Sequence, residues 1–220
     1  MTSTRLPGKA LADLGPGTTI ELVLRRLGRA TELAGVVVAT STDPSDDRLV
    51  GALSGARVVR GPLDDVLGRY EAAAREVEAD AVVRITADCP LVEPRLVDRL
   101  VAIWRSGEAD YVANILEPRT FPKGLDVEVV SRDALETAAA EATSAHDREH
   151  VTPYVRDRPD RFPAAAVELD PPMAEARVTL DTDDDLRALR ELIDAVGEKA
   201  DVAEIVRALG GSEPVIRERA

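Results

Sequence analysis

Ala81-Val82-Val83-Arg84-Ile85-Thr86-Ala87-Asp88-Cys89-Pro90-Leu91-Val92 opens as a strand and closes as a turn. Ala81, Val82, Val83 and Ile85 form a short apolar run rich in β-branched residues, the pattern of a buried strand. Pro90 has no N–H to give to a sheet ladder, so the strand stops near it. In an open α/β sheet, ligands bind at the carboxyl ends of strands. Asp88 stands at such an end, and Glu93 opens the next helical stretch. A carboxylate there is placed to hold a metal ion against a phosphate. Asp is also common as the cap of a turn or helix, and from this stretch alone that plainer role competes with the metal one.

Working outward toward the N-terminus, strands and helices alternate. Thr18 or Thr19 caps a helix carrying Ile20, Leu22, Val23, Leu24 and Leu27 and running to about Leu33, with Glu21 in its first turn. Gly35 to Thr40 reads as a buried strand ending in a polar turn, Ser41 to Pro44, before a helix from Ser45 to Leu53. A strand from Arg57 to Arg60 leads into Gly61-Pro62, and a helix starts at Asp64 or Asp65. Beyond the opening strand come a helix from Pro94 to Trp104 and a strand from Asp110 to Ala113. This alternation with short connections predicts a mostly parallel twisted sheet with helices on both faces. Ser41, Gly61 with Asp65, and Asp88 would then converge on one edge. Met1 to Lys9 reads as a loop with two cations, Arg5 and Lys9. It is not a P-loop, because Gly8-Lys9 is followed by Ala10 and not by Ser or Thr.

The second half changes character. After Gly124, Leu125, Val127 and Val129 alternate with Asp126 and Glu128, so the acids are expected to face a cleft or solvent. Ser131 caps a helix to about Ala142. Ala145 to Tyr154 is dense in polar groups, with His146 over His150 if helical, and Pro153 kinking that helix or lying near a start. Phe162 to Leu169 reads as a strand. Arg177 to Leu186 reads as a strand turning into a helix at Thr182 or Asp183, with Asp181 on the strand side. Asp183 to Asp185 suit that helix's N-terminus electrostatically. A short helix spans Asp201 to Leu209, and the last residues read as disordered.

The bulk numbers fit this picture. A chain of 220 residues suits a single domain with a substantial core. It divides by reading into 1–118, 119–182 and 183–220, the last being helices and a tail. Net charge of −13 argues against nucleic-acid binding through a broad basic surface. One cysteine excludes an intrachain disulfide, and with two histidines it offers poor spacing for structural zinc. No run reaches membrane-spanning length, so a soluble cytoplasmic protein is expected. Two strand-end aspartates, Asp88 and Asp181, with two N-terminal cations make a plausible Mg²⁺-nucleotide site.

The ordered motif set resembles the cytidylyltransferases that activate acidic sugars. Ser3-Thr4-Arg5-Leu6-Pro7-Gly8-Lys9 is similar to their signature loop. Val38-Ala39-Thr40-Ser41, Arg60-Gly61 with Asp65 to Tyr70, and Arg84 to Leu91 continue the match. So do Pro122 to Glu128, Arg148 to Tyr154, and Leu180-Asp181-Thr182 before Asp185-Leu186. The branch it resembles most is the spore-coat polysaccharide biosynthesis (SpsF-like) group. Acylneuraminate and 3-deoxy-manno-octulosonate cytidylyltransferases are more distant. The resemblance covers nearly the whole chain and implies a nucleotide-diphospho-sugar transferase (GT-A-like) fold. It implies transfer of CMP from CTP to a sugar hydroxyl, with Mg²⁺ as cofactor and pyrophosphate released. On that reading Arg5 and Lys9 hold the triphosphate, Ser41, Gly61 and Asp65 lie on the nucleotide side, and Asp88 and Asp181 hold the metal. Lys123, Asp126, Glu128, Arg148 and His150 would face the sugar, with Lys123 or Arg148 pairing with its carboxylate. Arg5, Lys9 and Asp88 would be the catalytic set. Relatives are often dimers, which leaves a homodimer open.

Members of this family begin with an apolar strand that leads into the loop, whereas here only Met1 and Thr2 precede Ser3. On the resemblance, the first strand is expected to be missing from this sequence. The expectation is a slot in the core and unpaired ladder groups on both neighbours. Either the start lies upstream, or the chain is a degenerate or partnered form. Two other functions compete: a nucleotide-sugar-dependent glycosyltransferase on a related fold, and a non-catalytic nucleotide-binding protein or scaffold.

Overall fold

The computed structural model describes residues 5–219. Met1 to Thr4, including the Ser3-Thr4 start of the expected loop, and Ala220 lie outside the described residues. The helix α1 (Thr19–Leu27) starts where the sequence signals it. The Thr18 hydroxyl accepts from the Glu21 N–H, and the Glu21 carboxylate accepts from the Thr18 N–H. It ends at Gly28, short of the expected Leu33, and the Thr31 and Glu32 N–H groups turn instead to Asp98.

Then come β1 (Val37–Ser41), α2 (Asp47–Ala52), β2 (Arg57–Gly61), α3 (Val66–Glu76), β3 (Ala81–Arg84), α4 (Pro94–Arg105) and β4 (Tyr111–Ala113). The second half holds β5 (Glu128–Ser131), α5 (Arg132–Glu141), α6 (Ala145–His150), α7 (Pro153–Arg156), β6 (Ala164–Asp170), α8 (Asp183–Val196), α9 (Val202–Ala208) and β7 (Val215–Arg219). Pro153 starts α7 rather than kinking α6, and Val151 between them has a φ of 73°.

β1 and β2 pair in parallel, Val37 opposite Arg57 through Ser41 opposite Gly61. The other five strands form a sheet in the order β3-β5-β4-β6-β7. β3, β4 and β6 run one way, while β5 and β7 run against them. The larger sheet is therefore mixed where a mostly parallel one is expected. Parallel neighbours need a crossover, but the chain from β4 to β5 contains no helix and returns antiparallel, between β3 and β4. The C-terminal segment expected to be disordered is β7. It pairs with β6 from Val215 opposite Asp170 to Arg219 opposite Ala166, and the ion pairs Arg217–Asp170 and Arg219–Glu168 cross the two strands.

Helices cover both faces of this sheet. Val112 and Val129 point into a core built with α1, α4, α8 and α9, including Leu22, Leu96, Leu100, Leu189 and Ile205. Their neighbours Tyr111, Ala113 and Val130 point the other way, onto Leu67 of α3, Leu135 of α5 and Val155 of α7. A smaller cluster, Ala10, Ile20, Leu49 and Leu53, packs against Val38 and Val58 of the two-stranded sheet.

Between β1 and β3 lies a cavity of about 700 Å³. Val37 to Ala39 line one side and Ala81 to Val83 the other, with Ile20 and Leu24 of α1, Tyr70 and Ala73 of α3, and Val77 just beyond α3 closing it. Among the described residues no strand bridges β1 to β3. A slot in the core is expected from the sequence, and this cavity lies in that place.

Candidate active site

The carboxyl end of β3 builds the site. The loop after Arg84 turns at Thr86, whose carbonyl accepts from the Cys89 N–H at 3.1 Å. The Thr86 hydroxyl also donates to Asp88 Oδ1 at 2.5 Å, fixing that carboxylate. The Leu180 N–H donates to the Asp88 carbonyl at 2.9 Å, so the chain just before α8 runs beside the loop and delivers Asp181 next to Asp88. Thr182 caps α8 reciprocally with Asp185, whose carboxylate also accepts from the Asp181 N–H at 2.9 Å. That cap accounts for Asp185 as the helix dipole alone would not.

Lys9 closes the cluster. Gly8 at φ 74° turns the chain into a single 3-10 turn, Lys9–Leu11, and sends the lysine inward. Its ammonium donates to Asp88 Oδ2 at 2.7 Å and to Asp181 Oδ1 at 2.8 Å. Arg5 lies 3.2 Å from the same Asp181 oxygen, and Arg177 donates to the other one while lying 3.5 Å from Asp185. Burial alone would lower the Lys9 pKa, but hydrogen bonds and charge from Asp181 and Asp88 outweigh it and hold it above the ordinary lysine value. Burial would likewise raise the Asp181 carboxyl, yet Lys9, Arg5 and Arg177 hold it below the usual carboxylate range.

Arg5 and Lys9 thus meet Asp88 and Asp181, three segments far apart in sequence. The remaining expected residues do not all join them. Lys123 is exposed, and its backbone bridges Arg177 through the Lys123 N–H to the Ala176 carbonyl and the Val178 N–H to the Lys123 carbonyl. Asp126 is half-buried and pairs with Arg119. His150 is exposed, its ring 4.6 Å from that of His146.

One expectation is corrected, and four other expected residues are engaged within the chain itself. Glu128 does not face a cleft: it is 1 % exposed and accepts from Arg84 Nη1, Tyr111 Oη and Thr152 Oγ1, each at 2.5 Å. The alternation puts it on the α7 side of β5, which the packing closes. Ser41 is fully buried, and its hydroxyl donates to Asp46 at 2.6 Å. Asp65 caps α3, accepting from the Gly68 N–H at 2.9 Å. Arg148 pairs with that same Asp65 and donates to the Ala139 carbonyl at 2.7 Å, so these two residues join α6 to α3. Gly61 fits against Arg69, whose Cγ would lie 2.8 Å from an added Cβ.

The sequence assigns no site role to Thr86, Arg119 or Arg177, and gives Asp185 only its place at the N-terminus of α8. The Thr86-x-Asp88 and Arg177-x-x-x-Asp181 spacings were the only local signals. Cys89 is buried, and burial followed by the charges of Asp88 and Asp126 pushes its thiol up, which disfavours the thiolate.

The residues fit a hard divalent cation. Two carboxylates from different segments already grip one cationic nitrogen from both sides. Among the described residues no cluster of three or more His, Cys, Asp or Glu side chains offers a complete protein cage. Two carboxylates with the rest left to phosphate oxygens and water is the usual arrangement for Mg²⁺.

The class that this fold and family define is nucleotidyltransferase. The Cytidylyltransferase family model matches residues 1–214, and the chain belongs to that family. The spore coat polysaccharide biosynthesis protein SpsF of Bacillus subtilis is 30% identical over 231 residues, covering 100% of this chain and 94% of SpsF. A cytidylyltransferase structure from Leptospira borgpetersenii superposes with a TM-score of 0.89 at 29% identity, covering 96% of this chain and 90% of that one. CMP:2-keto-3-deoxy-manno-octonic acid synthetase, solved with CTP, shares the nucleotide-diphospho-sugar transferase fold. Its TM-score is 0.65 at 20% identity, over 87% of this chain and 94% of that one.

Proposed function

We propose that this chain transfers CMP from CTP to a hydroxyl of a small acidic sugar, with Mg²⁺, in polysaccharide or glycan precursor synthesis. The observation that carries the reading is the meeting of Lys9 with Asp88 and Asp181, beside Arg5, at the carboxyl end of β3. The name of SpsF, similar over the full chain, supports the precursor role, and the CTP complex of the octonic acid synthetase supports the nucleotide.

In the reaction the sugar oxygen bonds to the α-phosphorus. The bond from that phosphorus to the bridging β-phosphate oxygen breaks, the hydroxyl proton passes to water, and pyrophosphate leaves. Asp88 and Asp181 would hold Mg²⁺, which when bound supplies positive charge to the phosphate oxygens. Arg5 and Lys9 bind the β- and γ-phosphates and stabilise the departing pyrophosphate. Thr86 keeps Asp88 oriented, and Arg177 keeps Asp181 oriented. Lys123, exposed and bridged to the Arg177 segment, is the cation that meets the sugar carboxylate.

The test is pyrophosphate release with CTP, UTP, ATP and GTP, each with Mg²⁺ and a panel of acidic sugars. Release from CTP alone is expected, and Asp88→Asn should lower it by about a hundredfold or more. Lys9→Ala should weaken CTP more than CMP, since CMP lacks the outer phosphates. Full turnover by Asp88→Asn, or transfer of a sugar from a UDP-sugar instead, would overturn the assignment.

A further inference from the structure

All four oxygens of Asp88 and Asp181 are engaged by the protein itself. Asp88 Oδ1 takes the Thr86 hydroxyl at 2.5 Å and Oδ2 takes Lys9 at 2.7 Å. Asp181 Oδ1 takes Lys9 at 2.8 Å with Arg5 at 3.2 Å, and Oδ2 takes Arg177. Counting Asp185, which faces Arg177 at 3.5 Å, three cations balance three carboxylates. A lone divalent ion approaching this cluster meets compensated charge, with an ammonium already bridging the two carboxylates it needs.

We propose that Lys9 is a stand-in cation: it locks the two metal-binding carboxylates together and releases them only when a triphosphate draws its ammonium away, so that metal and nucleotide enter as one unit. This rests on the cytidylyl-transfer reading for the identity of the triphosphate, but the lock itself rests on the contacts of Lys9 with Asp88 and Asp181. The exchange needs only a side-chain swing. The Lys9 backbone is held by its N–H to the Leu6 carbonyl at 3.2 Å and by the Ala12 N–H to its carbonyl at 3.1 Å. The side chain is a point charge on a flexible stem and is 21% exposed, so it has a path outward. An ammonium between two carboxylates and a divalent ion between the same two carboxylates exclude one another. Lys9 should therefore oppose the metal when alone and favour it when phosphate is present.

The opposing sign makes the test sharp. Free Mn²⁺ is followed by its paramagnetic resonance signal during titration with the full chain, without nucleotide. Wild type should bind Mn²⁺ weakly, and Lys9→Met should bind it about tenfold more tightly or better, because removing a neighbouring positive charge favours the cation. Lys9→Arg keeps the charge and should bind as weakly as wild type. Adding Asp88→Asn to Lys9→Met should abolish the gain, which places it at this pair. Removing an ammonium from between two partly buried carboxylates costs stability, so Lys9→Gln is carried beside Lys9→Met, and both are checked by near-ultraviolet circular dichroism. Lys9→Met and Lys9→Gln binding Mn²⁺ no tighter than wild type would overturn the proposal, as would a gain that survives Asp88→Asn. Pyrophosphate release from CTP by wild type is measured separately. Its absence would sink the cytidylyl-transfer reading while the Mn²⁺ comparison still decides the lock.

Discussion

Lys9 and Asp181 are separated by 172 positions and share a hydrogen bond of 2.8 Å, whereas Glu128 is sealed in the core. At the scale of single residues the difference is what each carboxylate faces. Glu128 compensates Arg84 in a closed network with Tyr111 and Thr152. Breaking a buried pair strands the surviving charge, so Glu128→Ala should destabilise the protein by about 3–5 kcal/mol in urea unfolding. A loss under about 1 kcal/mol would mean that the network is open to water. Asp65 offers a pH-dependent test. Burial raises its carboxyl, but Arg148 and the Gly68 N–H outweigh that and hold it below the usual range. A carboxyl lowered in the folded state contributes stability above its unfolded value and loses it as pH falls through the folded one. The stability difference between wild type and Arg148→Gln should therefore be constant near neutral pH and shrink in acid, below the ordinary carboxylate range. A difference that grows on acidification would contradict the pairing.

Among elements, the caps and one glycine do most to place the site. Thr18, Ser131 and Thr182 begin their helices as the sequence signals, because an N-cap is a local contest between a hydroxyl and the next turn's N–H groups. Gly124 matters across elements. Its φ is 104°, and an added Cβ would lie 2.6 Å from the Val178 carbonyl carbon. There the Lys123 segment meets the Arg177 segment, which carries Asp181. Gly124→Ala should cost about 2–4 kcal/mol and push the two segments apart. Urea unfolding reads the cost, and loss of the CTP-dependent thermal shift reads the displaced Asp181. An unchanged midpoint would show that the backbones separate freely. β7 escaped the sequence reading because Val215-Ile216-Arg217-Glu218-Arg219 has too little apolar alternation to signal a strand. Its partner β6 supplies the ladder and the opposite charges, which only pairing brings together.

For the whole molecule, the cavity between β1 and β3 divides the sheet system in two. Side chains lining a cavity have fewer dispersion contacts than those in a closed core, and backbone groups on a strand edge without a partner do not protect one another. Hydrogen exchange should then be faster at the β1 and β3 amides that face the cavity than in β4, which is paired on both sides. Equal protection across the three strands would mean that the β1 and β3 edges are covered. No helix among the described residues is long and apolar enough to cross a membrane.

What the amino-acid sequence by itself determined was local: the alternation of strand and helix, the caps, the turn at Pro90 and the candidacy of Asp88, Lys9 and Arg5. Those follow from periodicity and from hydrogen bonds spanning a few residues. Tertiary structure decided which candidates meet. Asp181 reaches Asp88 because the Leu180 N–H finds the Asp88 carbonyl, and Arg148 is drawn to Asp65 because α6 packs on α3. It also decided that β5 returns antiparallel and that Glu128 is enclosed. Such outcomes depend on sheet order and on the closing of faces by distant helices, and spacing along the chain carries no record of either.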